Sequence, residues 1–309
     1  MKKLSKIMII TLLSVFVFAS CEKEEGVFNP KQKIHKTSST YEEMTEVLVN
    51  GTWQTVGDDK EAGPSEVWVW DGNLLSSIRY YDGINMEYEE HYQFDKDNVL
   101  IRVSNDEGDA YEYVYGDSQL KEIDYFYGNE LEGRIMVSHD GKKISKLTMQ
   151  IDYAKAFSAL RHILPAGDSK NMKKAFDQLK KNSKGDEEMS ISFEWDGDNV
   201  SRITFNDEGE VMVMSFTYDK KKNPYYGLFD ITRTDDMIGM NDFSGLSKNN
   251  VTSINFSEDG EVYEETFTYT YDGKFPVEVV SKVVFEDEEE GYSYRSSMIV
   301  NKTIEYTNK

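Results

Sequence analysis

Two adjacent tyrosine pairs, Tyr80–Tyr81 and Tyr225–Tyr226, are the side chains in this sequence best suited to hold a ligand. A phenol ring offers a flat apolar face and a polar tip. Several such rings along a groove can stack on sugar rings or on other flat, partly apolar molecules. The competing use of the same rings is cross-strand packing.

Catalytic chemistry finds little to work with. There is no G-x-S-x-G elbow, no H-E-x-x-H and no phosphate-binding glycine loop. His35, His91, His139 and His162 are widely spaced and form no local metal motif. Asp95-Lys-Asp97-Asn98 and Asp196-Gly-Asp198-Asn199 carry hard oxygen ligands of the kind calcium takes, but lack a twelve-residue loop; side-chain-bonded turns explain them more simply. With 57 acidic residues, some carboxylate pair will meet any spacing a glycosidase needs, so such pairs identify nothing. No catalytic residue, metal site or cofactor is expected.

The single cysteine, Cys21, stands at the end of an export-type leader. Lys2, Lys3 and Lys6 make a positive start, Ile7 to Ala19 a short apolar run, and Ala19-Ser20 a small-residue pair. The run is too short for a permanent membrane span and reads as a signal peptide over residues 1–20. A disulfide-built exported protein would carry paired cysteines. Residues 21–30, with Glu22-Lys23-Glu24-Glu25, read as an acidic tether.

The net charge is −22, or −25 without the three leader lysines. Such a chain repels nucleic acid and anionic surfaces, so no nucleic-acid partner is expected. Aromatic residues make up 13%, including 20 Tyr, and they fall in strict patterns that argue against disorder.

Those patterns define the elements. Leu75-Ser-Ser-Ile78-Arg-Tyr80, Leu120-Lys-Glu-Ile123-Asp-Tyr125, Ile144-Ser-Lys-Leu147-Thr-Met149, "VSRITFNDEGEV" at 200–211 and "VTSINFSEDGEV" at 251–262 share one scheme. The last two apolar anchors alternate as on one strand face, while the first lies three residues back, which predicts a bulge near the turn. Trp68-Val-Trp70, Tyr113-Val-Tyr115, Phe193-Glu-Trp195, Phe216-Thr-Tyr218 and Tyr269-Thr-Tyr271 place two rings on one side of a strand, followed by turn residues such as Asp-Gly. Asn50-Gly51 suits a further two-residue hairpin turn.

Units of this kind must stack to bury their apolar face, and short connections demand antiparallel pairing. The expected fold is mainly β: one domain over 31–309, a long curled antiparallel meander forming an open barrel or trough. Two interruptions are expected. Residues 153–183 carry helical spacing in two segments around Pro165–Gly167, predicting a helical hairpin packed on the concave aromatic face, with Lys170, Lys173, Lys174, Lys180 and Lys181 outward. Residues 223–250 read as a long irregular loop.

Further resemblances accompany these residues. Phe18-Ala19-Ser20-Cys21 resembles a relaxed lipobox, and the acidic run after it resembles the lipoprotein export signal of Bacteroidetes. The resemblance implies acylation of Cys21 and a place on the outer membrane, exposed at the cell surface and held by several acyl chains. The units ending in Tyr218-Asp219 and Tyr271-Asp272 look like YD repeats of Rhs-type surface proteins. Asn223-Pro224-Tyr225-Tyr226, Asn249-Asn250-Val251 and "FTYTYDGKFPVEV" at 267–279 resemble an uncharacterised family of Bacteroidetes surface lipoproteins, over roughly residues 65–282. That family supplies no catalytic residues. The expected function is that of a non-catalytic binding or accessory protein for glycans or other extracellular polymers. The alternatives are an adhesin-like protein contacting another protein, and a glycan hydrolase.

Overall fold

The computed structural model describes residues 25–151, 189–207, 210–229, 234–235, 240–241, 243–258, 261–289 and 292–307. The leader, Cys21 and the whole of the expected helical hairpin at 153–183 lie outside the described residues.

Turn chemistry sets the strand order. Asn50 and Gly51 both take positive φ, 52° and 76°, in a tight turn between β1 (Ile34–Val49) and β2 (Thr52–Asp71). The Asp-Gly and equivalent turns then connect β3 (Leu74–Asp82), β4 (Asn85–Phe94), β5 (Leu100–Asn105), β6 (Asp109–Gly116), β7 (Gln119–Tyr127), β8 (Glu130–Asp140) and β9 (Lys143–Ile151). Next come β10 (Met189–Asp196), β11 (Asn199–Asp207) and β12 (Glu210–Tyr218). An excursion holds the short pair β13 (Thr234–Asp235) and β14 (Met240–Asn241), and a 3-10 turn at Ser244–Leu246. The chain returns through β15 (Val251–Glu258), β16 (Glu261–Asp272), β17 (Phe275–Glu289) and β18 (Tyr292–Tyr306).

The sheet closes, and the expectation of an open barrel or trough is wrong. All strands but β13 and β14 form one antiparallel barrel of sixteen. The closing pair joins the two ends of the sequence, β1 to β18, from Ile34↔Tyr306 to Val47↔Tyr294. An open strip would leave two long edges of unpaired N–H and C=O groups; closure removes both. The second half of the expectation also fails among the described residues: they contain no α-helix, and the ringed inner face is filled by other parts of the chain.

One irregularity repeats at one end of the barrel. Trp70 pairs with Leu75 while Val69 pairs with Ser77, so Ser76 is an extra residue. The same shift occurs at Phe94/Leu100, Tyr115/Leu120, His139/Ile144, Trp195/Val200, Tyr218/Val251 and Tyr271/Pro276. Strand side chains alternate, so residues three apart would face opposite ways. The extra residue restores the phase and brings Leu75 and Ile78, or Leu120 and Ile123, to the same inner face, at most 1% exposed. This is the bulge that the sequence spacing requires.

Each bulge breaks the ladder; at four of them, and at the β1–β18 register shift after Ile34, a ring from the neighbouring strand takes a carbonyl. Trp195 Nε1 donates to Ile144 O at 2.7 Å, Tyr218 OH to Val200 O at 2.6 Å, and Tyr269 OH to Val251 O at 2.6 Å. Tyr306 OH reaches Pro276 O at 2.8 Å and Trp70 Nε1 reaches Ile34 O at 2.7 Å. In every case the acceptor is the residue just before the extra one. A buried carbonyl left without a donor costs roughly 1–3 kcal/mol, so rings with a polar tip are selected here over phenylalanine. Three lysines add a second clamp. Lys33, Lys143 and Lys221 lie 5.5, 5.1 and 5.1 Å from the ring centres of Trp70, Trp195 and Tyr271. Each donates to the carbonyl of the adjacent turn glycine, Gly72, Gly197 and Gly273.

The same end is plugged. Phe28 is 2% exposed, with ring centres 6.4 Å from Trp68 and 5.9 Å from Trp70. Leu100 N donates to Gly26 O at 2.9 Å. From the excursion, Tyr225 packs 6.0 Å from Trp68 and Phe243 packs edge-on to Phe193 at 5.3 Å; Leu228 and Phe229 are also buried. Gly245 is obligatory in this crossing, since a Cβ there would sit 1.7 Å from the Leu228 carbonyl oxygen. The asparagines noted in the sequence pin the excursion down. Asn223 Nδ2 donates to Ser247 O at 2.8 Å, and Asn250 Nδ2 to Asp219 Oδ2 at 3.2 Å.

The outer face is charged at mid-height. Four directly opposed cross-strand pairs, Arg79↔Glu89, Arg102↔Glu112, Asp124↔Arg134 and Glu194↔Arg202, run along it. Their closest contacts include 3.1 Å for Arg79–Glu89, 2.7 Å for Arg134–Asp124 and 3.6 Å for Arg202–Glu194. Burial raises the Glu89 pKa, but hydrogen bonds from Ser77 and Arg79 outweigh it and hold the carboxyl below its ordinary value.

Candidate functional site

The inner face changes character along the strands. Toward the plug it presents Trp68, Tyr92, Tyr113 and Phe193; two residues nearer the far end, carboxylates appear. Glu66 precedes Trp68, Glu90 precedes Tyr92 and Glu265 precedes Phe267, each on the same strand face. All three are buried, at 9%, 5% and 2% exposure. Neighbouring ring donors bind two of them. Trp68 Nε1 donates to Glu66 at 2.9 Å, and Glu90 Oε2 accepts Tyr80 OH at 2.8 Å and Tyr92 OH at 3.1 Å.

A cleft of about 180 Å³ opens beside Glu90, lined by Tyr88, Glu90, Asn105, Glu107, Asp109 and Tyr111 together with Val103 and Ser104. Two ring pairs flank it. Tyr80 stacks on Tyr88 with centres 4.4 Å apart and planes 19° apart, and Tyr111 lies 5.0 Å from Tyr125. Asp109 accepts Tyr125 OH at 2.8 Å and Asn105 Nδ2 at 3.0 Å. Burial first, and then the Asp109 carboxylate, push the Tyr125 phenol well above its ordinary range, so it stays a donor. Asn105 also caps its own turn, accepting Glu107 N at 3.0 Å and Asp109 N at 2.9 Å, which fixes the rim.

Glu132 stands close by. It is the extra residue of a further bulge, where Tyr125 pairs with Gly133 and Phe126 with Leu131. It is 9% exposed, its charge acts on the Tyr125 phenol, and its Oε2 has no hydrogen-bond partner among the described residues.

The four tyrosines singled out from sequence do not come together. Tyr80 stands behind the cleft, stacked on the lining residue Tyr88. Tyr81 points the other way, beside Arg79 on the outer face. Tyr225 is part of the plug against Trp68. Tyr226 is half-buried near Asp198 and Lys248, with its phenol raised by burial first and then by Asp198. Sequence reasoning missed Tyr88, Glu90, Asp109, Tyr111 and Glu132. The acid two places before an aromatic anchor, repeated at Glu66, Glu90 and Glu265, was the available signal. Asp95 is a side-chain-bonded turn, accepting Asp97 N at 2.8 Å and Val99 N at 3.0 Å. Asp198 pairs with Lys248. Among the described residues no cluster of three His, Cys, Asp or Glu could hold a metal ion.

No family model and no curated protein match this chain. Solved structures similar to it include a porin-like protein from Bacteroides uniformis, 13% identical, with a TM-score of 0.48, covering 88% of this chain and 98% of that one. Another is a porin-like protein from Bacteroides vulgatus, 9% identical, with a TM-score of 0.46, covering 90% and 100%. A likeness of this degree assigns neither a pore nor a membrane-spanning wall to the present chain.

Proposed function

We propose that this is a non-catalytic binding or accessory protein of the outer membrane, held there by acyl chains on Cys21, whose ligand seats in the tyrosine-walled cleft. A glycan or another extracellular polymer is the class of ligand. The observation that carries the reading is the pairing of Tyr80–Tyr88 and Tyr111–Tyr125 on either side of the Glu90 and Asp109 acceptors. Flat rings and fixed acceptors are what a hydroxyl-rich ligand needs for stacking and orientation.

The anchor, rather than the barrel wall, makes the membrane contact in this reading. A lipid-facing barrel carries an apolar outer band, and a charge at its mid-height costs roughly 2–4 kcal/mol for Arg or Lys. Here four arginines and their acidic partners occupy the outer face, while the buried core residues face inward. Such a wall suits water.

Two measurements test the proposal. The full chain with Cys21→Ala is expected to leave the membrane fraction without detergent; retention there would overturn the anchoring. Against an array of purified polysaccharides the protein is expected to bind a subset, and Tyr88→Ala or Tyr111→Ala to weaken that binding roughly tenfold, the equivalent of ~1.4 kcal/mol. No binding across the array, or binding indifferent to both substitutions, would remove the cleft from the account.

A further inference from the structure

Charge is divided between the two ends of the barrel. The far end, opposite the plug, exposes Asp58, Asp59, Asp82, Asp106, Glu107 and Glu130. Lys60 and Arg295, toward the same end, already pair with Glu42 and Glu46. The plugged end instead gathers lysines from distant parts of the chain. Lys222 N donates to Lys274 O at 3.1 Å, and Asn223 N donates to Lys248 O at 3.1 Å. Burial first, and then the charges of Lys31, Lys274 and Lys248, hold the Lys222 ammonium below its ordinary pKa. Lys248 pairs with Asp198, but among the described residues no carboxylate pairs with Lys31, Lys222 or Lys274. A chain of net charge −22 therefore keeps unneutralised cations together on one arc of one end.

The amino-terminal segment reaches that same end, where His139 and Leu120 hold Glu25. Cys21 precedes Glu25 by four residues, which span at most about 14 Å. A nine-residue strand such as β3 rises about 30 Å. Acyl chains on Cys21 would hold the plugged end, and not the far end, against a membrane.

We infer that the barrel stands on the membrane by its plugged end, with the arc of Lys31, Lys222, Lys248 and Lys274 seated on anionic lipid headgroups and the acidic far end turned away. This rests on the acyl-anchor reading above and adds to it an orientation and a second contact. The signs of charge agree at both ends. Lipid phosphates attract ammonium groups close to the surface, and the attraction fades within about 10 Å, so the arc is drawn in although the chain as a whole is repelled.

Energy transfer from the full-length acylated protein to a headgroup-labelled lipid tests the inference. One dye sits on Asp272→Cys, in the turn beside Lys274; the other sits on Ile84→Cys, 94% exposed at the far end. The vesicles are phosphatidylcholine alone or mixed with phosphatidylglycerol. Transfer is expected to be strong from position 272 and weak from position 84, and stronger at 272 when phosphatidylglycerol is present. Added salt, or Lys222→Glu combined with Lys274→Glu, is expected to abolish that gain; the salt series needs no variant and stands should the double substitution misfold. Equal transfer from the two positions, or more from 84, would overturn the orientation and leave the anchor intact. Strong transfer from 272 that ignores lipid charge, salt and the double substitution would overturn the headgroup contact. Failure of the acylated protein to join vesicles of either kind would remove the anchor reading and this inference with it.

Discussion

Both carboxylate oxygens of Glu25 lie 3.0 Å from His139 Nε2, across 114 residues of sequence. The same carboxylate accepts Leu120 N at 3.1 Å. His139 holds a place that Trp, Phe or Tyr fills in other units, and its side chain is only 6% exposed. The polar ring is there because the amino-terminal segment brings an acid to it.

Replacing Glu25 with alanine should therefore release that segment from the barrel end and strand the Leu120 amide. A loss of roughly 1–3 kcal/mol is expected, read as a lower denaturation midpoint and faster proteolysis between residues 25 and 33. Glu25→Gln can still accept from the amide and should lose less. Equal stability of all three proteins would show that the contact does not hold the segment.

Deleting Lys121, the extra residue of one bulge, should be far worse than replacing it. Without it Leu120 falls out of phase with Ile123 and turns from a buried inner position to the outside. One buried leucine is worth about 1.5–3 kcal/mol, and the neighbouring ladder is broken as well. The deletion is expected to cost more than ~3 kcal/mol in urea unfolding, and Lys121→Ala less than ~1 kcal/mol. Comparable values for the two would contradict the phase argument.

Trp195→Phe removes one N–H from the Ile144 carbonyl and keeps the ring. A cost of roughly 1–3 kcal/mol is expected. Trp195→Tyr should recover part of it, because Tyr218 and Tyr269 make the equivalent bond in their own units. Thermal melts of the two variants decide the matter; a phenylalanine protein as stable as the original would refute the carbonyl-capping role.

Alkaline pH should unfold the barrel from its plugged end. Burial pushes the Tyr218 phenol up to about 12, and it also raises Tyr115, Tyr269 and Tyr306. Unfolded phenols ionise near pH 10. Below that value both states keep their protons and the stabilisation is intact. Above it only the unfolded chain loses them, so stability falls as pH climbs through the folded values. Tyrosinate absorbance is expected to rise together with loss of β-sheet dichroism between about pH 10 and 12. Ionisation well before any loss of sheet would mean that these rings are not buried donors.

The repeating half of this fold was written locally. Leu120, Ile123 and the Tyr113–Tyr115 pair are neighbours in sequence as well as in space, so their spacing disclosed strand, turn and bulge together. Closure was not written locally. Ile34 meets Tyr306 only because the meander has completed a circle, and no spacing within a unit encodes how many units that takes. The plug was hidden for the same reason: Phe28 and Phe243 find Trp68 and Phe193 from distant segments. In the cleft, Tyr80 was legible as an aromatic on a strand. Glu90 and Glu132 looked like two more acids in an acidic chain until burial set them apart. Tyr81 misled because one step along a strand reverses the facing direction.

Because the first strand is hydrogen-bonded to the last, the ring cannot be completed until synthesis has delivered residue 306. Until then two naked flanks stand open, each able to recruit a sister chain. Assembly of this kind is dominated by distant contacts and runs slowly. A protein shortened by its final hairpin would not lose a fraction of its wall; it would become a template for polymers.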